Sequence, residues 1–126
     1  MNDYEKIHKQ ALSLGEKKDC AVRAVTALSN LPYKYVNEMF AKNGRRKGRG
    51  TPWPTLWESI KELNLTCQET EIFTAKTVTS LERQLPKKGR FLIHTSGHVL
   101  AAVNGKIIDW TSGRRHRVVR VWEIGF

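Results

Sequence analysis

Apolar residues recur at helical spacing through the first half of the chain and alternate with polar ones through much of the second, and this change of period divides the sequence. Ile7, Ala11 and Leu14 mark a first helix that Asp3 can cap and that Gly15, suited to a left-handed turn, can end. After a polar link at residues 16–18, Asp19 stands as a good N-cap before Ala21, Ala24, Val25 and Leu28, an apolar face that predicts the central buried helix. Pro32 is placed to open a third helix with Tyr33, Val36, Met39 and Phe40 on one side and Asn43-Gly44 as its stop. Thr51-Pro52-Trp53-Pro54 leads into a short helix carrying Trp57, Ile60 and Leu63, because proline fits the first turn of a helix but not its interior.

From residue 65 to 72 β-favouring residues predict a strand. Thr79 and Glu82 match a capping box, followed by a short helix through Leu85 that Pro86 ends. Gly89 turns the chain into an apolar strand at residues 90–95, and residues 118–124 alternate as a final strand. Between them lies a hairpin, residues 99–103 and 106–110, around Asn104-Gly105, a strong type I′ turn signal. Helices first and antiparallel strands after them predict an α+β fold, one domain over residues 1–126, without internal repeats.

The turn fixes a register. With Asn104 and Gly105 at its tip, Val103 faces Lys106, Leu100 faces Asp109 and His98 faces Thr111. His98 shares the face of Leu100, and Asp109 lies on that face diagonally across from it, so imidazole and carboxylate can meet. Such a carboxylate orients a histidine and favours its charged form, the base-and-orienter half of a catalytic triad. The nucleophile is then sought among thiols. Cys20 opens the buried helix, where free backbone N–H groups and the helix dipole favour a thiolate; Cys67 has an ordinary setting in a strand.

Composition narrows the setting. The net charge of +10 and the runs Arg45-Arg46-Lys47-Gly48-Arg49 and Arg114-Arg115-His116-Arg117 predict attraction to polyanions. Arg45, Arg46, Lys47 and Arg49, with Trp53 just beyond them, form a candidate binding surface for an acidic substrate or partner. No apolar run approaches the ~20 residues of a membrane helix and the polar N-terminus does not resemble a signal peptide, so a cytoplasmic protein without membrane partners is expected. Two cysteines are too few for a disulfide scaffold, and their wide separation does not form a zinc motif with His94 and His98; no metal or other cofactor is expected.

The order Cys20, His98, Asp109, together with the segments DCAVRA (residues 19–24), FLIHTSGH (residues 91–98) and IIDW (residues 107–110), resembles the papain-like cysteine peptidase superfamily, most closely its small bacteriophage-encoded members. The resemblance covers nearly the whole chain. It implies N-terminal helices with a central Cys-bearing helix packed on a C-terminal antiparallel sheet, and a host-cytoplasmic setting if the protein is phage-encoded. It further implies that Cys20 attacks a carbonyl of a protein or peptide, that His98 transfers the proton, that Asp109 orients His98, and that Trp110 shields the pair, with Asp19 beside the nucleophile in support. One position departs from the pattern. The family commonly has a glutamine six residues before the cysteine as an oxyanion donor; here that residue is Leu14, and Gln10 lies a turn farther back.

Each residue also has an ordinary reading: Cys20 as a small core residue, His98 as a hydrogen-bonded strand histidine, Asp109 as a surface turn acid, the basic run as a solvated loop. The conjunction in this order favours a thiol hydrolase. Two rivals stay open, a cell-wall amidase of the NlpC or CHAP type and a non-catalytic basic module binding nucleic acid or a host protein.

Overall fold

Five helices pack around one antiparallel sheet in the computed structural model, which describes residues 3–125; the terminal residues Met1, Asn2 and Phe126 of the expected domain lie outside the described residues. The helices are α1 (Tyr4–Ser13), α2 (Cys20–Ser29), α3 (Tyr33–Lys42), α4 (Trp53–Glu62) and α5 (Val78–Gln84). The strands are β1 (Thr66–Thr70), β2 (Arg90–Thr95), β3 (His98–Val103), β4 (Lys106–Ile108) and β5 (Val118–Gly125), ordered β1-β5-β2-β3-β4. None of the described helices is long and apolar enough to cross a membrane.

The sheet separates two cores. On one face, Leu92, Val99, Ala101, Val103, Trp122 and Ile124 pack with the buried sides of α1 to α4. On the other, Phe91, Ile93, Leu100, Ala102, Ile107 and Val121 pack beneath Val78 and Leu81 of α5. Strand alternation produces this division: successive side chains of β2 and β3 go to opposite layers. α2 is central because nearly all its side chains are buried, including Val22, Val25 and Leu28 at 0% exposure. Truncating Leu28 to alanine in such a site typically costs about 2–5 kcal/mol. The two edges are short or polar strands, β4 and the TCQET strand β1, which presents little apolar surface for further pairing.

Local signals placed most boundaries. Asp3 caps α1, its Oδ1 accepting from the Lys6 amide at 2.8 Å, and Gly15 adopts a φ of +68°. Asn104 and Gly105 both have positive φ, +50° and +85°, as a type I′ turn requires, and Val103 pairs with Lys106. Three details differ from expectation. The second hairpin strand ends at Ile108 rather than at residue 110, because Asp109 turns back on Thr111. β1 is shorter than residues 65–72, because the Leu65 amide donates to the Ile60 carbonyl at the end of α4 and the Ile72 amide to the Thr70 hydroxyl rather than to β5. And α5 is capped by Thr77 rather than by Thr79: Val78 is drawn into the helix by burial, while the Val78 and Thr79 amides donate to the carbonyls of His116 and Arg114. Glu82 consequently serves that same loop, accepting from Ser112 Oγ and the Gly113 amide at 3.0 and 2.6 Å.

Candidate active site

Cys20 is the first residue of α2, so its own amide and those of Ala21 and Val22 precede the first intrahelical bond, Arg23 N–H to the Asp19 carbonyl at 3.0 Å. α2 lies across β3, and the contact brings the Cys20 sulfur into hydrogen bonds with the His98 ring and with the Val99 amide. Burial pushes the thiol's pKa up, but those two hydrogen bonds and the His98 charge together hold it below its ordinary value.

His98 is the first residue of β3, after the Ser96-Gly97 turn in which Gly97 has a φ of +69°. Its Nε2 meets Asp109 Oδ2 at 2.9 Å. A carboxylate only accepts, so this contact puts a proton on Nε2 and leaves Nδ1 for the sulfur. Burial would lower the imidazole's pKa, but the hydrogen bonds with Asp109 and Cys20 raise it to about 9. Asp109 is itself fixed: its Oδ2 also accepts from the Thr111 amide at 3.1 Å and the Thr111 hydroxyl at 2.6 Å. By alternation His98 and Asp109 belong with Leu100 and Ile107, in the layer of α5, yet His98 reaches the sulfur of α2. It does so from the end of the ladder, where Thr95↔His98 is the last pair of β2 with β3.

The structure thus brings Cys20, His98 and Asp109 together, and Trp110 covers them from one side. The Trp110 and His98 ring centroids are 5.4 Å apart, with Arg114 over the indole at 5.5 Å and His116 edge-on to it at 5.2 Å. A cavity of about 790 Å³ opens at Cys20, with Trp53 and Trp110 in its wall, 41% and 47% exposed. Trp53 stacks on Trp57 and stands edge-on to His94 at 4.9 Å. His94 lines the cavity but has no carboxylate partner among the described residues; burial and the charge of Arg120 lower its pKa, opposite to His98. Cys67 lies apart on β1, where burial raises its pKa to about 11.

Two sequence-based expectations need correction. Asp19 does not cap α2 through its side chain: the buried carboxylate accepts from Arg23 Nε at 3.0 Å and from the Tyr33 hydroxyl at 2.7 Å, partners that fold over it from α2 and α3. Arg45 is not part of an exposed binding surface. It is 4% exposed and pairs with Glu16 through both guanidinium nitrogens, at 3.0 and 3.2 Å, while also donating to the Asn37 side chain and the Lys17 carbonyl. A buried guanidinium needs a counter-charge, which Glu16 supplies; the two terminal nitrogens make all of these bonds, and Nε has no hydrogen-bond partner among the described residues. Burial works to raise the Glu16 pKa, but hydrogen bonds from Arg45, Asn37 and the Gly48 amide bring it down to about 2. Arg46, Lys47 and Arg49 remain exposed and lie outside the cavity wall, to which the loop contributes Gly50 and Thr51.

Sequence reasoning missed other neighbours of the site. His8 lines the cavity, stacks on Tyr4 and accepts at Nδ1 from Arg23 at 2.8 Å, which joins α1 to the Asp19 network. Only packing could disclose that link. Thr111 was readable, since an aspartate followed two residues later by a backbone N–H forms an Asx turn. Among the described residues neither Gln10 nor any other glutamine or asparagine lines the cavity, and the Cys20 amide is the oxyanion donor that the helix start offers. Among the described residues no group of three His, Cys, Asp or Glu side chains is arranged to hold a metal ion. No protein-family model, curated protein or solved structure matches the chain.

Proposed function

We propose that the protein is a papain-like thiol hydrolase, a cysteine peptidase or amidase, with Cys20 as nucleophile, His98 as acid and base, and Asp109 as the group that orients His98. The observation that carries this reading is the convergence, from three separate parts of the chain, of a thiol whose pKa is lowered and an imidazole whose pKa is raised, with the imidazole's far nitrogen on a buried carboxylate. A thiolate facing an imidazolium is nucleophilic at neutral pH. The sulfur attacks the substrate carbonyl and the carbonyl electron pair moves to oxygen, beside the Cys20 amide. Collapse breaks the C–N bond as His98 gives its proton to the leaving amine. Water, deprotonated by His98, then attacks the thioester, releasing the acid and leaving the Cys20 thiolate beside the re-protonated His98. The order of these residues and the resemblance of their flanking segments to papain-like proteins support the same assignment.

The test is the rate of Cys20 alkylation by iodoacetamide across pH, in wild type and His98→Ala, with mass spectrometry separating Cys20 from Cys67. Fast reaction well below the ordinary thiol pKa, slowed by His98→Ala, is expected and licenses a search for the cleaved bond. A Cys20 that titrates normally in both proteins would remove the catalytic reading. Peptidoglycan fragments released from purified cell wall would assign the amidase activity to the wall. A second reading, a polyanion-binding module, draws on the exposed Arg46, Lys47 and Arg49 and the exposed Arg114, Arg115 and Arg117. Steeply salt-dependent DNA binding that survives Cys20→Ala is its expected signature.

A further inference from the structure

The charges around the cavity are unevenly satisfied. Each carboxylate in its wall has protein partners: Glu16 takes the Arg45 guanidinium, Asp19 takes Arg23 and Tyr33, and Asp109 takes His98 and Thr111. Both guanidinium groups are therefore spent inside the protein. Lys17 and Lys18 also line the cavity, three and two residues ahead of Cys20, and neither forms an ion pair among the described residues.

These two lysines leave a backbone that is held in place. The Lys17 carbonyl accepts from Arg45 at 3.2 Å, Glu16 accepts from the Gly48 amide at 3.0 Å, and Asp19 is locked by Tyr33. Between those anchors Lys18 adopts a φ of +54°, a left-handed conformation uncommon for any residue with a side chain and retained where the surroundings dictate it. The buried Glu16–Arg45 pair thus fixes the direction from which two uncompensated positive charges enter the cleft.

We propose that Lys17 and Lys18 form the specificity-determining side of the cleft and that the substrate is an acidic peptide segment, its glutamate or aspartate carboxylates received by the two ammonium groups while the exposed indoles of Trp53 and Trp110 cover its apolar portions. The substrate assignment rests on the thiol-hydrolase reading; the binding assignment does not. Two flexible point charges suit separate carboxylates. The basic run after Arg45, although richer in charge, lies outside the cavity and takes no part.

Binding is measured on Cys20→Ala by chemical-shift titration with a peptide alternating Glu and Ala and with its Gln counterpart, and hydrolysis on the active protein with the same Glu and Gln alternatives built into a cleaved peptide. The Glu peptide is expected to bind better by on the order of fivefold at low salt, with shifts at Lys17, Lys18 and Trp53, and to lose that advantage as salt rises. The double substitution Lys17→Gln with Lys18→Asn, the latter tolerant of positive φ, removes the Glu-over-Gln ratio, whereas Arg46→Gln, Lys47→Gln and Arg49→Gln together preserve it. Equal binding of the two peptides, no binding of either, or a ratio that follows the triple variant instead of the double one would overturn the proposal. If the binding ratio behaves as stated but no peptide is cleaved, the hydrolase reading fails and the acidic-peptide site stands.

Discussion

Cys20 and Cys67 are both half-buried thiols, and burial pushes on both in the same direction, yet their pKa values move apart. Cys67, on an edge strand beside Trp57 and Trp122, has burial alone acting on it, and its thiol rises to about 11. Cys20 meets an imidazole and a backbone amide, and its pKa falls. Burial alone raises a thiol's pKa; burial beside hydrogen-bond donors lowers it, because in a low-dielectric site each donor counts for more. The two histidines of the cavity repeat the lesson. His94 lies against tryptophan rings and an arginine and loses basicity, whereas His98, four residues on, has a carboxylate and gains it.

The sharpest separation is expected in turnover. Cys20→Ser should reduce hydrolysis by at least about 10⁴-fold, as loss of a triad nucleophile does, while Cys67→Ser leaves it near wild type; comparable losses from both would erase the contrast. Next in size is the foundation under Cys20. Glu16→Gln leaves the Arg45 guanidinium buried without its counter-charge and should cost about 3–5 kcal/mol in urea denaturation. The Glu16 pKa is depressed, so its stabilising contribution is present above the ordinary value of 4.5 and disappears as pH falls toward 2. The variant should therefore lose acid sensitivity in that window.

A third comparison is chemical. At pH 7 Cys20 should be alkylated roughly a hundredfold faster than Cys67, the thiolate fraction outweighing the lower intrinsic nucleophilicity of the more acidic thiol, and His98→Ala should close most of that gap. Asp109→Asn has a smaller, directional effect. The His98 pKa is raised, so the charge on its ring contributes stability that is complete below 6.5 and lost as pH climbs through about 9. The alkaline limb of the hydrolysis profile should follow that value in wild type and move toward 6.5 in the variant. Smallest is Thr111→Val, which removes one of the hydrogen bonds on Asp109; about 0.5–1.5 kcal/mol of stability and a fraction of a pH unit on the same limb are expected.

Much of this site was legible because its parts are local. The hairpin register required only Asn104-Gly105 and the alternation of side chains, and it placed Asp109 diagonally from His98, where they hydrogen-bond. The position of Cys20 at a helix start required only Asp19 and the spacing of the apolar residues after it. The fate of the acidic and basic residues was not legible in the same way. Asp19 reads as a cap and Arg45 as the start of an exposed basic run, since no nearby residue reveals that Tyr33 or Glu16 will fold over them.

What the sequence determined by itself is the set of elements, most of their ends and the turn that joins β3 to β4, because helix caps, prolines, glycines and side-chain periodicity act over a few residues. Tertiary structure alone decided that β5 inserts between β1 and β2, that α2 crosses β3 so that Cys20 meets His98, and that Arg45 is interior while Lys17 and Lys18 face the cavity. Those outcomes depend on which apolar faces bury one another across the sheet and on which buried charge finds a partner, and both are settled between residues far apart in the chain.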